Sequence, residues 1–270
     1  MTEALSYKQL LAWKESFARG FLAVNRSTSD HPMLVLCCFA LGVFRELQYA
    51  YGGGPIAFGA CSLAEIGIGL GLAYYAVRSA FTITAPEKML EERKWKEGGP
   101  PLLSLFFLCF LLLVPAFIMA VIALWPATYL AEYSSIASYA LMFLSALVYF
   151  WIVSRVSLAM PLICVEELGA IAGIKRSFQL SRGNFWTCAK FMTLNTAALY
   201  LPSLFVTQLA DSACRTLLLD LPFEGISGLV CVGHGLIVTL CFVLPLLSLS
   251  ASFCQLYLGL KMKSEALAVG

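Results

Sequence analysis

Apolar residues in this chain come in blocks too long for the core of a small soluble domain, broken by short turns and by charged segments. The blocks run at about 32–51, 56–79, 102–125, 136–164, 186–210 and 226–260. A hydrocarbon layer about 30 Å thick is crossed by about 20 helical residues, so the pattern predicts six transmembrane helices. The third block is the clearest, with no charge from Leu102 to Trp125. The last would reach about 50 Å as a straight helix and must tilt, kink or project. Before the first block the period changes. Tyr7, Leu10, Trp13, Phe17, Phe21 and Val24 recur at three- and four-residue steps, which predicts an amphipathic helix over 3–25, with Ser6 and Gln9 as its capping box. It either lies flat on the membrane or packs against its own protein. Asp30, His31 and Pro32 read as the cap of the first span, and the Gly-Gly-Gly-Pro55 step as a tight turn.

Composition gives the solvent. The chain is 60% hydrophobic and 13% charged, about half the charge of a soluble domain, and its mean hydropathy is +0.83. Lipid is therefore its main surroundings. Charge placement gives the orientation. With six spans, all the Lys and Arg residues except Arg45 and Arg215 fall at one side, and the opposite loops, 51–55, 126–135 and 211–225, hold Arg215 alone. The positive-inside rule then puts both termini in the cytoplasm. The expectation is an all-α polytopic bundle in the inner membrane, one domain over 1–270, with a cytoplasmic segment 1–30 and a bundle 31–264. The N-terminus has no uninterrupted apolar core of a signal peptide, so insertion would use the first span. A net charge of +2 points to no nucleic-acid partner.

Polar residues inside the blocks are the candidate chemistry. Glu65 lies well within the second, at a cost of about 3 kcal/mol if ionised at mid-bilayer. It is either an ion or proton site or a carboxyl protonated or paired with Arg45. Gly67 and Gly71 beside it form a small-residue face for close helix approach. Arg45 and Glu46 intrude near the far end of the first span and either snorkel or face the bundle. His234 stands alone among glycines and apolar residues, which reads as a satisfied interior histidine. None of the ten cysteines forms a C-x-x-C pair, so they read as small hydrophobes rather than metal ligands. No catalytic motif, cofactor site or metal site is expected.

Between the fourth and fifth spans lies an elbow, Arg155 to Trp186. Glu166 and Glu167 read as the start and Lys175 and Arg176 as the later part of a short surface helix over 166–182, complementing its dipole. Leu168, Ile171, Ile174 and Phe178 form a partial apolar stripe. Gly183 reads as the stop after Arg182 and Asn184 as the cap of the fifth span. Arg155 is expected to pair with Glu166 or Glu167. Lys175, Arg176, Arg182 and Lys190 are candidates for binding anionic lipid headgroups. The run Arg155…Pro161…Glu166…Ile174-Lys-Arg-Ser-Phe-Gln-Leu-Ser-Arg-Gly-Asn-Phe-Trp186 resembles the signature of bacterial six-span proteins related to the membrane domain of glycerophosphoryl diester phosphodiesterases. The ending of the last span, Tyr257 to Lys261, is similar as well. That family's phosphodiesterase activity lives in a separate soluble barrel for which these residues leave no room. The functional expectation is a non-enzymatic membrane protein that scaffolds or assists a membrane partner or its own copies. The alternative is a transporter or lipid-handling protein with Glu65 as its functional carboxylate.

Overall fold

The computed structural model describes residues 12–51, 54–85, 101–112, 114, 121, 135–220 and 224–269. Among these every regular element is a helix: α1 (Trp13–Asp30), α2 (Pro32–Ala50), α3 (Pro55–Thr84), α4 (Ser135–Val156), α5 (Ala159–Glu166), α6 (Ala170–Ser181), α7 (Phe185–Asp220) and α8 (Glu224–Val269). A shorter apolar helix, Leu102–Leu112, marks the third block. Three stretches are long and apolar enough to cross a membrane: Pro55–Thr84, Ile136–Glu166 and Gly228–Ser264. The capping box at Ser6 and Gln9 and most of the third block beyond Leu112 lie outside the described residues, as do residues 86–100 of the charged cytoplasmic linker expected over 81–101, whose first residues instead continue α3 to Thr84.

The chain divides into two compact units, Met1–Leu102 with Thr193–Gly270, and Leu103–Met192. In the first, α1 runs on to Asp30 and meets α2 at a bend of 91°. Pro32 causes the break: its fixed φ suits the first turn of a new helix and its missing N–H ends the old ladder. Asp30 is therefore the last residue of α1 and not the cap of α2; His31 holds the cap position without a side-chain bond. α1 packs against α3 and α8. Its buried face is Ser16, Gly20, Ala23, Val24 and Ser27, whereas Phe21 is exposed. Small residues, not the aromatic stripe, face the protein because α8 comes so close. A Cβ on Gly20 would lie 2.7 Å from Ser252 Oγ.

α2, α3 and α8 form the core of this unit. Gln48 lies beside Cys61 and His31 stacks on Tyr75, so α2 and α3 are antiparallel. Glu65 meets Thr239 and Thr84 meets Gln255, so α3 and α8 are parallel. Glu46 meets His234 and Gly42 faces Thr239, so α2 and α8 are antiparallel. The first and last long helices of the unit thus run in opposite senses. The buried Gln255 amide donates to Ala80 O at 3.2 Å and Thr84 Oγ1 at 2.7 Å. A Cβ on Gly71 would meet only ordinary contact, with Leu102 Cδ2 at 3.9 Å, whereas α2 and α8 cross much more closely. A Cβ on Gly42 would overlap Thr239 Oγ1, and one on Gly235 would lie 2.9 Å from Val43 Cα.

In the second unit, α4 breaks at Ser157–Leu158 before α5. Pro161 explains the position, since its ring excludes the carbonyl four residues back, that of Ser157. Ser177 Oγ of α6 donates to the Arg155 carbonyl at 2.6 Å. The elbow helix is Ala170–Ser181, shorter than the expected 166–182. Glu166 ends α5 and Glu167 follows in a left-handed conformation, φ 52°, so neither carboxylate occupies the first turn of α6, and the expected dipole pairing does not form. The face of α6 turned to the protein is Ala170, Gly173, Ser177 and Ser181, with Ile171 67% exposed. A Cβ on Gly173 would lie 2.8 Å from Ile163 Cγ1, so α5 and α6 pack at a separation only small residues permit. Gly183 adopts φ 83°, the left-handed stop expected after Arg182.

Candidate functional site

The core of the first unit contains a connected row of ionisable side chains. Arg45 and Glu46 are consecutive on the last turns of α2, Glu65 sits on α3, Asp211 on α7, and His234 and Thr239 on α8. Arg45 Nη1 pairs with Glu65 Oε2. The same guanidinium donates to Glu46 Oε1 from Nη2 at 3.0 Å and from Nε at 3.3 Å. The other oxygen of Glu46 lies 3.2 Å from His234 Nδ1, and His234 Nε2 lies 2.6 Å from Asp211 Oδ1. At the far end Thr239 Oγ1 donates to Glu65 Oε1 at 3.1 Å. The order along the row is Thr239, Glu65, Arg45, Glu46, His234, Asp211.

The row runs from buried to accessible: the side chain of Glu65 is 3% exposed and that of Asp211 38%. Each ring nitrogen of His234 faces a carboxylate oxygen, and the tautomer decides which nitrogen donates. Three carboxylates, those of Glu46, Glu65 and Asp211, stand along the row with one guanidinium and one imidazole. Both imidazole nitrogens are committed to carboxylates, and no group of three potential metal ligands occurs among the described residues.

His234 is a satisfied interior histidine, as expected, but it does not stand alone: both ring nitrogens contact carboxylates. Glu65 is paired with Arg45, one of the two alternatives. Arg45 and Glu46 face the bundle and bind each other. Asp211 was missed because the fifth block ends at about 210, which makes residue 211 the first of a loop. Instead α7 continues as helix to Asp220, and Asp211 meets α8. The signal for it was a line of polar residues at helical spacing, Thr207, Asp211 and Arg215. Thr239 left no signal among its apolar neighbours.

In the second unit Arg155 lies with its guanidinium carbon 5.6 Å from the Trp151 ring and 5.1 Å from that of Phe185. These are cation–π distances, and they tie the end of α4 to the start of α7. Trp151 also meets Phe178 of α6 edge-on at 6.4 Å. The pairing of Arg155 with Glu166 or Glu167 stays a proposal. Lys175, Arg176, Arg182 and Lys190 are all exposed, as are Ile171 and Trp186. Asn184 Nδ2 reaches back to Leu180 O at 3.5 Å. No family model, curated protein or solved structure matches the chain.

Proposed function

We propose that this chain is a multi-pass membrane protein whose helical core binds protons and couples that binding to transport or to handling of lipid. The observation that carries the reading is the row from Asp211 through His234, Glu46 and Arg45 to Glu65. Ionisable side chains inside a membrane bundle are costly and mark ion or proton pathways. Six spans with both termini on the cytoplasmic side of an inner membrane remain the topology proposed. The opposite senses of α2 and α8 support an even number of crossings, and the distribution of Lys and Arg supports the cytoplasmic orientation. The elbow's resemblance to the phosphodiesterase-linked membrane domains is a proposal of kinship and brings no catalytic residue.

Reconstituted into proteoliposomes under an imposed proton gradient, the protein is expected to carry protons across the bilayer, read with a pH-sensitive dye trapped inside the vesicles. His234→Gln, which removes the ring that bridges Glu46 and Asp211, should reduce that movement to the level of empty vesicles. A variant that carries protons as fast as the wild type would sink the proposal.

A second reading, a scaffold for a membrane partner, is favoured by α4. Ile136, Tyr139, Phe143, Leu147 and Trp151 recur along one line of this helix and all are exposed. Detergent extraction with a partner in fixed ratio supports it, whereas a chain that purifies alone counts against it. The bilayer itself is the partner proposed for α6. Three basic residues, Lys175, Arg176 and Arg182, beside exposed Ile171 suit the anionic leaflet, at about 1 kcal/mol for each charge near that surface. A spin label at Ile171→Cys should lose much of its lipid contact when Lys175 and Arg176 are both changed to Glu. Equal lipid contact in both proteins would contradict that placement.

A further inference from the structure

A second polar site lies in the first unit, away from the charge row. It is a cavity of about 410 Å³ at the corner where α1 turns into α2 beside α3, within the range of about 300–1,000 Å³ that small ligands occupy. Arg78, thirteen residues beyond Glu65 on α3, is about 20 Å along the helix from the row. The lining has three chemistries. Arg26 and Arg78 supply guanidinium groups, and Asp30 supplies a carboxylate. The rings of His31 and Tyr75 are stacked with centroids 3.7 Å apart and form an aromatic wall. The remaining lining is hydroxyl, from Ser79 and Thr82.

We propose that this cavity binds a zwitterionic headgroup, a phosphate ester joined through a short linker to an ammonium. Two guanidinium groups match the geometry of phosphate oxygens, which they bind in pairs. A site for a simple anion would gain nothing from Asp30. One for a cation alone would gain nothing from two arginines. Together they suit a ligand with both charges. Arg26 and Asp30 already lie 3.9 Å apart, the spacing of a loose pair that a ligand can enter. The ammonium meets Asp30, beside the aromatic wall of His31 and Tyr75. Thr82 Oγ1 donates to Ser79 O at 3.0 Å, so its lone pairs face outward as acceptors and suit ammonium N–H groups. The Ser79 hydroxyl is a donor for phosphate. His31 also holds the N-terminal cap position of α2 without a side-chain bond, so the positive end of that helix dipole adjoins the cavity wall.

Two sources carry this chemistry, a bilayer phospholipid and a soluble phosphoester. The test uses the full chain in detergent micelles with equal amounts of phosphatidylethanolamine and phosphatidylglycerol, followed by native mass spectrometry. The wild type should retain phosphatidylethanolamine preferentially. Arg78→Gln should reduce that retention about tenfold or more, as expected for loss of a charge-assisted contact. Asp30→Asn should bring retention of the two lipids to parity. Arg26→Gln, at an exposed position, replaces Arg78→Gln should the latter fail to fold, and variants are compared only where melting is unchanged. In the second arm, phosphoethanolamine, inorganic phosphate and ethanolamine are tested singly for thermal stabilisation. Stabilisation by phosphoethanolamine alone, lost in Arg78→Gln, assigns a soluble ligand; retention of the lipid without it assigns a bilayer headgroup. No preference for the ethanolamine lipid and no response to phosphoethanolamine would overturn the proposal. So would a preference that survives both substitutions.

Discussion

Replacing Arg45 with alanine is expected to destabilise the protein by about 3–5 kcal/mol, the usual cost of stranding one member of a buried ion pair. Glu65 is 3% exposed in its side chain and draws its cation from Arg45. Thr239 contributes one neutral hydrogen bond, which cannot replace a guanidinium. The same substitution removes both contacts from Arg45 to Glu46, leaving Glu46 with His234. The check is a double-mutant cycle in detergent, read as thermal melting. Arg45→Met combined with Glu65→Leu should recover most of the loss, because an apolar pair of similar volume is often neutral or stabilising where a broken ion pair is not. A double variant as unstable as Arg45→Ala would show that the pair is needed for more than mutual neutralisation. Glu65→Gln separates the alternatives further. It removes the charge while keeping shape and hydrogen bonding, and should cost less than Arg45→Ala.

Gly42→Val is expected to separate α2 from α8 and to disconnect Thr239 from Glu65. A Cβ on Gly42 would overlap Thr239 Oγ1 and approach Glu65 Oε1 to 3.2 Å. Thr239 Cβ is itself only 3.0 Å from that point, so rotating the hydroxyl away does not make room. Overpacking of this kind costs about 1–3 kcal/mol, and the loss falls on the row as well as on the crossing. Melting should fall, and Cys38, buried one turn before Gly42, should react faster with a thiol reagent. Thr239→Ala in the Gly42→Ala background should recover part of the loss by removing the overlapped hydroxyl. Failure of that rescue would place the strain elsewhere in the crossing.

Much of the architecture was legible because it depends on short-range pattern. The long apolar stretches required helices, since a bilayer leaves no water for unpaired backbone groups. Pro32 and Pro161 marked helix breaks, and Gly183 a stop, through backbone sterics that hold in any context. The helix beginning was less legible at the elbow. Charged Glu166 and Glu167 suggested a first turn, yet the helix starts at Ala170 after a left-handed Glu167. The faces of α1 and α6 turned to the protein were not legible, because period alone marks the larger apolar side chains. In a membrane the apolar face has lipid as a ready solvent, and close helix packing selects small residues instead.

The amino-acid sequence by itself determined that the chain is helical, with apolar segments long enough to cross a membrane and polar residues inside them. It also marked the breaks at Pro32 and Pro161 and the stop at Gly183, whereas Pro202 and Pro245 lie inside continuous helices. Only the tertiary structure decided which polar residues meet. Glu46 and His234 are 188 positions apart, and Glu65 and Thr239 are 174. No local period relates residues at such separations. Their meeting depends on α2 and α8 running antiparallel and on the absence of side chains at Gly42 and Gly235, which lets the two backbones close until a carboxylate reaches an imidazole.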